Sequence, residues 1–173
     1  LCAMKRPLML LLILLLTMFT LASAQGLALT ETFVSSDGVS FLYPDGYTVS
    51  EQGPLNYIAE TEQDESIIIV LIGEGMADSL DFIPTSVDEA YAGYQQSLGE
   101  LDVVFNADER RIYKINGLAA TEQTFTSPDD EHAALLIFEL PDGQIAIILG
   151  VELEGLVPGP DGVLAQIARS VTL

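Results

Sequence analysis

Cysteine, histidine, tryptophan and positive charge are all scarce in this chain. In 173 residues there is one cysteine, Cys2, one histidine, His132, no tryptophan, and six lysines and arginines against 26 aspartates and glutamates. One cysteine excludes an internal disulfide framework, and one histidine beside it cannot complete the usual nitrogen and sulfur set of a zinc site. The thiol-dependent C-x-x-C-H haem motif is absent, as are a phosphate-cradling P-loop and the dinucleotide fingerprint G-x-G-x-x-G. A serine hydrolase would have to use His132 as its base, and no G-x-S-x-G segment presents a nucleophile to it. His132, in SPDDEHAALL, is expected as an ordinary histidine at the start of a strand.

The shortage of positive charge narrows the partners. The formal net charge is −20, and only Arg110, Arg111, Lys114 and Arg169 are basic after residue 6. Such a field repels phosphate backbones and anionic lipid, so no nucleic acid and no direct membrane-surface binding is expected of the domain. It favours cations, basic protein surfaces or simple solubility as a monomer.

The first residues carry the longest apolar run. Lys5 and Arg6 precede LMLLLILLLTMFTLA (8–22), and Ala22-Ser23-Ala24 supplies a small-x-small pattern, which predicts a signal peptide over 1–24 cleaved after Ala24. A retained anchor is the alternative, although the run is shorter than the roughly 20 residues that span a bilayer. Cys2 lies ahead of Met4 and of the apolar run, so it does not read as a lipid-modified cysteine. This organisation predicts a secreted, extracytoplasmic protein of the cell envelope or a periplasm-like space. A short lead-in over 25–32 and one domain over 33–173 follow.

Within that domain the pattern is mostly strands and turns. SIIIVLI (66–72), AALLIFEL (133–140) and QIAIILGV (144–151) are apolar at consecutive positions, as strands covered on both faces are. Shorter strands are expected near 39–43, 47–51, 55–59, 103–107, 111–115 and 118–125. Asn116-Gly117 reads as a two-residue hairpin turn, and the two Pro-Asp-Gly tripeptides (44–46 and 141–143) read as hairpin turns in which Asp45 and Asp142 bond local backbone. Two helices are expected: one over 86–98, with Ser86 and Glu89 forming a capping box and Val87, Ala90, Tyr91, Tyr94 and Leu98 on one face. In the other, Asp161 caps a stripe of Val163, Leu164, Ile167, Ala168 and Val171. Helices on an antiparallel sheet define an α+β fold, an α/β/α sandwich with a mainly antiparallel sheet and two principal covering helices.

The segment TFVSSDGVSFLYPDGYTV (32–49) and the order of elements through LAQIARSVTL resemble the PsbP-like superfamily of exported sandwich domains. That superfamily includes the extrinsic photosystem subunit and many bacterial secreted proteins of unknown role. Asp37-Gly38, Phe41, Tyr43-Pro44, Gly46-Tyr47 and Ile167 to Ser170 carry the likeness, with Tyr47 standing where such domains usually have tryptophan. The resemblance implies a binding or accessory module for an extracytoplasmic protein or complex, with no catalytic set to carry over.

Two further features stay open at this level. Calcium is the cofactor that the composition permits, and Asp129, Asp130 and Glu131, or Glu60, Glu62, Asp64 and Glu65, are its densest candidate ligands; a calcium-dependent binding protein is therefore the alternative reading. A hydrolase using unidentified paired carboxylates is a third. In GEGMADSLDFIP (73–84), Met76, Leu80 and Phe82 offer apolar contact and form a candidate lip for a partner.

Overall fold

The computed structural model describes residues 27–62, 66–100, 106–127, 131–153 and 156–173. Eight strands form one antiparallel sheet: β3 (Tyr47–Gly53), β4 (Asn56–Thr61), β5 (Ile67–Ile72), β6 (Asn106–Ala107), β7 (Arg111–Ile115), β8 (Leu118–Thr126), β9 (His132–Glu139) and β10 (Ile145–Val151). Across the sheet the order is β3-β4-β5-β10-β9-β8, and β6 and β7 both pair with the outer side of β8. A separate ribbon pairs β1 (Leu29–Val34) with β2 (Ser40–Pro44). The helices are α1 (Ala77–Leu80), α2 (Val87–Glu100) and α3 (Val163–Ser170).

The unbroken apolar runs are explained by the strand's period of two. Ile68, Val70, Ile72, Ala134, Leu136, Phe138, Ala146 and Ile148 face a core closed by α3 and the ribbon, whereas Leu71, Leu135, Ile137, Ile145 and Ile147 face a core closed by α1 and α2. Each central strand therefore buries both of its faces, and the sandwich has the helix-sheet-helix layering expected of it.

The ribbon is fastened to the far end of the chain. Ser40 and Thr172 exchange backbone hydrogen bonds of 2.9 Å each, and the Leu42 N–H donates to Ser170 Oγ at 2.8 Å. Phe33, Phe41 and Tyr57 pack ring to ring with centroids 5.2 to 5.8 Å apart, joining the ribbon to β4. Among the described residues the first strand starts at Leu29, inside the stretch expected as a lead-in.

Of the two Pro-Asp-Gly tripeptides, only the second makes a hairpin. Between β9 and β10 the Leu140 N–H donates to Gln144 O at 2.8 Å, and Asp142 Oδ1 accepts from the Gln144 N–H at 3.0 Å. The first joins β2 of the ribbon to β3 of the large sheet, because β2 is already committed to β1 and to the C-terminal residues. It is a corner between sheets, with Asp45 Oδ1 accepting from the Gly46 N–H at 2.8 Å. Both aspartates are thus used by local backbone. Gly143 adopts φ +87°, where a side chain is strained. Gly143→Ala is expected to lower stability by about 1–2 kcal/mol, read as a shifted urea midpoint at unchanged slope. Asn116 and Gly117 both have positive φ, as the β7–β8 hairpin requires.

Ser86 Oγ accepts from the Glu89 N–H at 3.2 Å as expected, but Glu89 reaches back to Thr85, accepting from its N–H at 2.7 Å and its hydroxyl at 2.8 Å. These bonds hold the Glu89 carboxyl below its usual range. Asp161 does not cap α3. Gly162 does, in an extended conformation and with no side-chain bond, because a Cβ there would lie 2.0 Å from Val157 O. Asp161 instead offers its carbonyl to Gln166 Nε2 at 2.9 Å.

Candidate functional site

β8, covered on its outer side by β6 and β7, carries an unusual load of polar side chains for an interior strand of a sheet. Thr121, Glu122, Gln123 and Thr124 are all buried. Their side chains alternate between the two cores, so each face receives its own polar network.

On the α3 face lies Glu122, 1% exposed. Its Oε2 accepts from the Gly159 N–H at 2.5 Å and from the Tyr113 hydroxyl at 3.1 Å. Oε1 and Arg111 Nη1, on the residue paired with it across β7, are buried without a hydrogen-bond partner among the described residues. Burial pushes the Glu122 carboxyl up, against the lowering effect of those bonds and of Arg111. Burial and the neighbouring Glu122 carboxylate push the Tyr113 phenol far above its ordinary value.

Further along the same strand is a cleft of about 440 Å³ lined by Asp108, Thr124, Thr126 and His132, with Leu153 and Leu156 as apolar wall. Thr124 Oγ1 donates to Asp108 Oδ2, and Thr126 Oγ1 stands 3.4 Å from His132 Nδ1. The backbone N–H of His132 donates to Glu152 Oε1, so that acid is spent on the main chain and does not orient the ring.

On the α2 face, Gln123 accepts from the Tyr91 hydroxyl at 2.8 Å and from Gln95 Nε2 at 3.0 Å, and donates to Asp108 O at 2.7 Å. Arg110 completes this side. Its Nη2 bonds Asp88 Oδ1 at 2.5 Å, its Nε bonds Thr121 Oγ1 at 2.6 Å, and its guanidinium lies 4.0 Å from the Tyr91 ring centroid. Next to it, where α2 begins, a second groove of about 270 Å³ opens over β7 and β8.

The residues singled out from sequence fall differently. Met76 is wholly buried and Leu80 nearly so, both packed under α2, and Phe82 is partly buried against the same core. These three fill the α2 layer, so their apolar surface is not presented as a lip. The cause is a short helical segment, a 3₁₀ turn over Gly73–Met76 leading into α1, that folds the connection back onto the sheet. Gly75 lets this segment approach β4's turn, since a Cβ there would lie 2.2 Å from Leu55 O. Asp129, Asp130, Asp64 and Glu65 lie outside the described residues, as do Ala22 and Ala24. Glu131 is exposed, and its backbone closes the turn with Ser127. Glu60 and Glu62 are at the end of β4. Among the described residues, no three His, Cys, Asp or Glu side chains gather as a metal site would require. No helix among them is long and apolar enough to cross a membrane.

Glu122, Gln123 and Arg110 were not singled out from sequence. The only signal is a glutamate and a glutamine inside LAATEQTF, a pattern equally suited to a half-exposed hairpin arm.

An antiparallel sheet covered by helices on both faces, with an N-terminal ribbon fastened to the C-terminal residues, is a PsbP-like fold. The solution structure of cyanobacterial PsbP (CyanoP) from Synechocystis sp. PCC 6803 matches 88% of this chain and 96% of its own with a TM-score of 0.55, at 16% sequence identity. A Pseudomonas aeruginosa protein of unknown function, PA94, matches 84% of this chain and 98% of its own at 13% identity, with a TM-score of 0.42. No protein-family model and no curated protein sequence matches the chain.

Proposed function

We propose that the protein is a non-catalytic binding or accessory module that serves a protein or protein complex outside the cytoplasmic membrane. The observation that carries this reading is the extent of the likeness: the shared fold takes in 96% of CyanoP and 88% of this chain. The two share one whole domain, a fold that the extrinsic photosystem subunit also has. The polar groups support the same reading, since Gln123 and the Oε2 atom of Glu122 hold strands, helices and loops together. The basic and apolar N-terminal segment supports export.

The test is affinity isolation of the exported protein from gently cross-linked cell envelopes, followed by sizing. Recovery in a defined complex that dissociates as salt is raised is the expected result, because an acidic surface binds through screened charge. Sizing as a lone chain at every salt concentration would defeat the proposal.

A further inference from the structure

The geometry points to the groove at the start of α2 as a docking site for a protein segment that presents an aliphatic side chain next to a lysine or arginine. This rests on the reading of the protein as a binding module and names its surface and the kind of partner. The floor is apolar, formed by Val87 and Ile145 of the α2-side core, with Ala119 beside them. At its edge stands Ile112 on β7, 74% exposed, the most exposed large hydrophobic side chain among the described residues. An isolated exposed isoleucine needs no explanation, but one bordering a recess with an apolar floor offers a place to bury a partner's side chain.

Charge decides what kind of segment fits. Two carboxylates, Asp88 and Glu139, line the groove against one guanidinium, Arg110. Arg110 is already committed to Asp88, Thr121 and the face of Tyr91. The Asp88 side chain is nevertheless 84% exposed, and the Glu139 carboxylate, on the sheet side, has no side-chain hydrogen bond or ion pair among the described residues. Thr85 and the Ser86 hydroxyl are occupied in capping α2, so they do not compete for a ligand. What stays open to a partner is an apolar floor, the Ile112 side chain and the Glu139 carboxylate. Lys114, two residues along β7 from Ile112, does not line the groove. The chain's net charge of −20 acts in the same sense, repelling acidic segments and drawing in basic ones.

The probe is a capped decapeptide of alternating leucine and lysine, titrated into isotopically labelled exported protein and followed by amide chemical shifts. Shifts are expected to concentrate on residues 85–88, 110–120, 139 and 145. Ile112→Thr is expected to weaken binding about tenfold, since it removes most of an aliphatic contact, and Glu139→Gln about threefold. Glu31→Gln, an exposed acid on β1, should leave affinity unchanged. A peptide with serine in place of leucine tests the apolar half. If it binds as tightly, or if shifts spread over the acidic surface and ignore Ile112→Thr, the protein is only attracting a polycation and the groove is not the site. The melting temperature of each variant shows whether the domain is intact. Loss of the groove result with a complex still recovered from envelopes would overturn the site and leave the binding module standing, whereas absence of any complex would count against the broader reading.

Discussion

Phe41→Ala is expected to cost about 3–5 kcal/mol, the range for removing a fully buried aromatic side chain. In a domain of this size that lowers the melting temperature by roughly 10 °C. Phe41 touches both Phe33 and Tyr57, so its loss opens a cavity where the ribbon packs on β4. The backbone bonds between Ser40 and Thr172 depend on the ribbon lying flat against α3, and their amides should exchange faster than those of β9 and β10. Val34→Ala on the same ribbon, where the side chain is 66% exposed, serves as the control and should stay within about 0.5 kcal/mol. A melting temperature within 2 °C of the parent for Phe41→Ala, on the order of the control itself, would show that the ribbon is not part of the cooperative core.

Glu122→Ala is expected to cost about 2–4 kcal/mol, because it strips the acceptor from the Gly159 N–H and the Tyr113 hydroxyl together. Glu122→Gln tests the charge separately, since its amide oxygen still accepts from Gly159. Burial raises the folded-state pKa of Glu122, so the folded chain holds the proton more tightly than the unfolded chain does. The associated stability is fully present below the ordinary carboxylate range and is lost as pH rises through the folded value. The difference between parent and Glu122→Gln, taken from urea midpoints between about pH 4 and pH 8, should therefore shift against the parent as pH increases. A difference that is flat, or that moves in the parent's favour, would mean that the bonds from Gly159 and Tyr113 outweigh desolvation and that the carboxylate is comfortable where it sits.

The central sheet was legible because its information is local. SIIIVLI, AALLIFEL and QIAIILGV declare burial on both faces within seven or eight residues, and Asn116-Gly117 and Pro141-Asp142-Gly143 declare the reversals between neighbouring strands. The ribbon was less legible. Residues 29–34 are mostly exposed, so β1 shows no apolar alternation, and what holds it in place is a contact between Ser40 and Thr172 at the opposite end of the chain. That same contact turns the first Pro-Asp-Gly from a hairpin into a corner. The burial of Glu122 follows from the loop that brings Gly159 over β8, and nothing within the strand announces it. Asp161 lost its capping role to Gly162 through a backbone approach that sequence spacing does not encode. Met76, Leu80 and Phe82 suit a lip by composition alone, whereas the 3₁₀ turn and α1, which Gly75 lets approach Leu55, press them inward.

The fastening of Ser40 to Thr172 bears on when the domain can become native. A chain that emerges N-terminus first, from a ribosome or through a membrane channel, presents β1 and β2 early and the residues that clasp them last. Until Ser170 and Thr172 are out, Phe41 has no α3 to lie beneath and the sheet has one bare face. Completion is thus withheld until residues 170–172 have emerged, which leaves the earlier part of the domain open to proteases and to self-association in the interval.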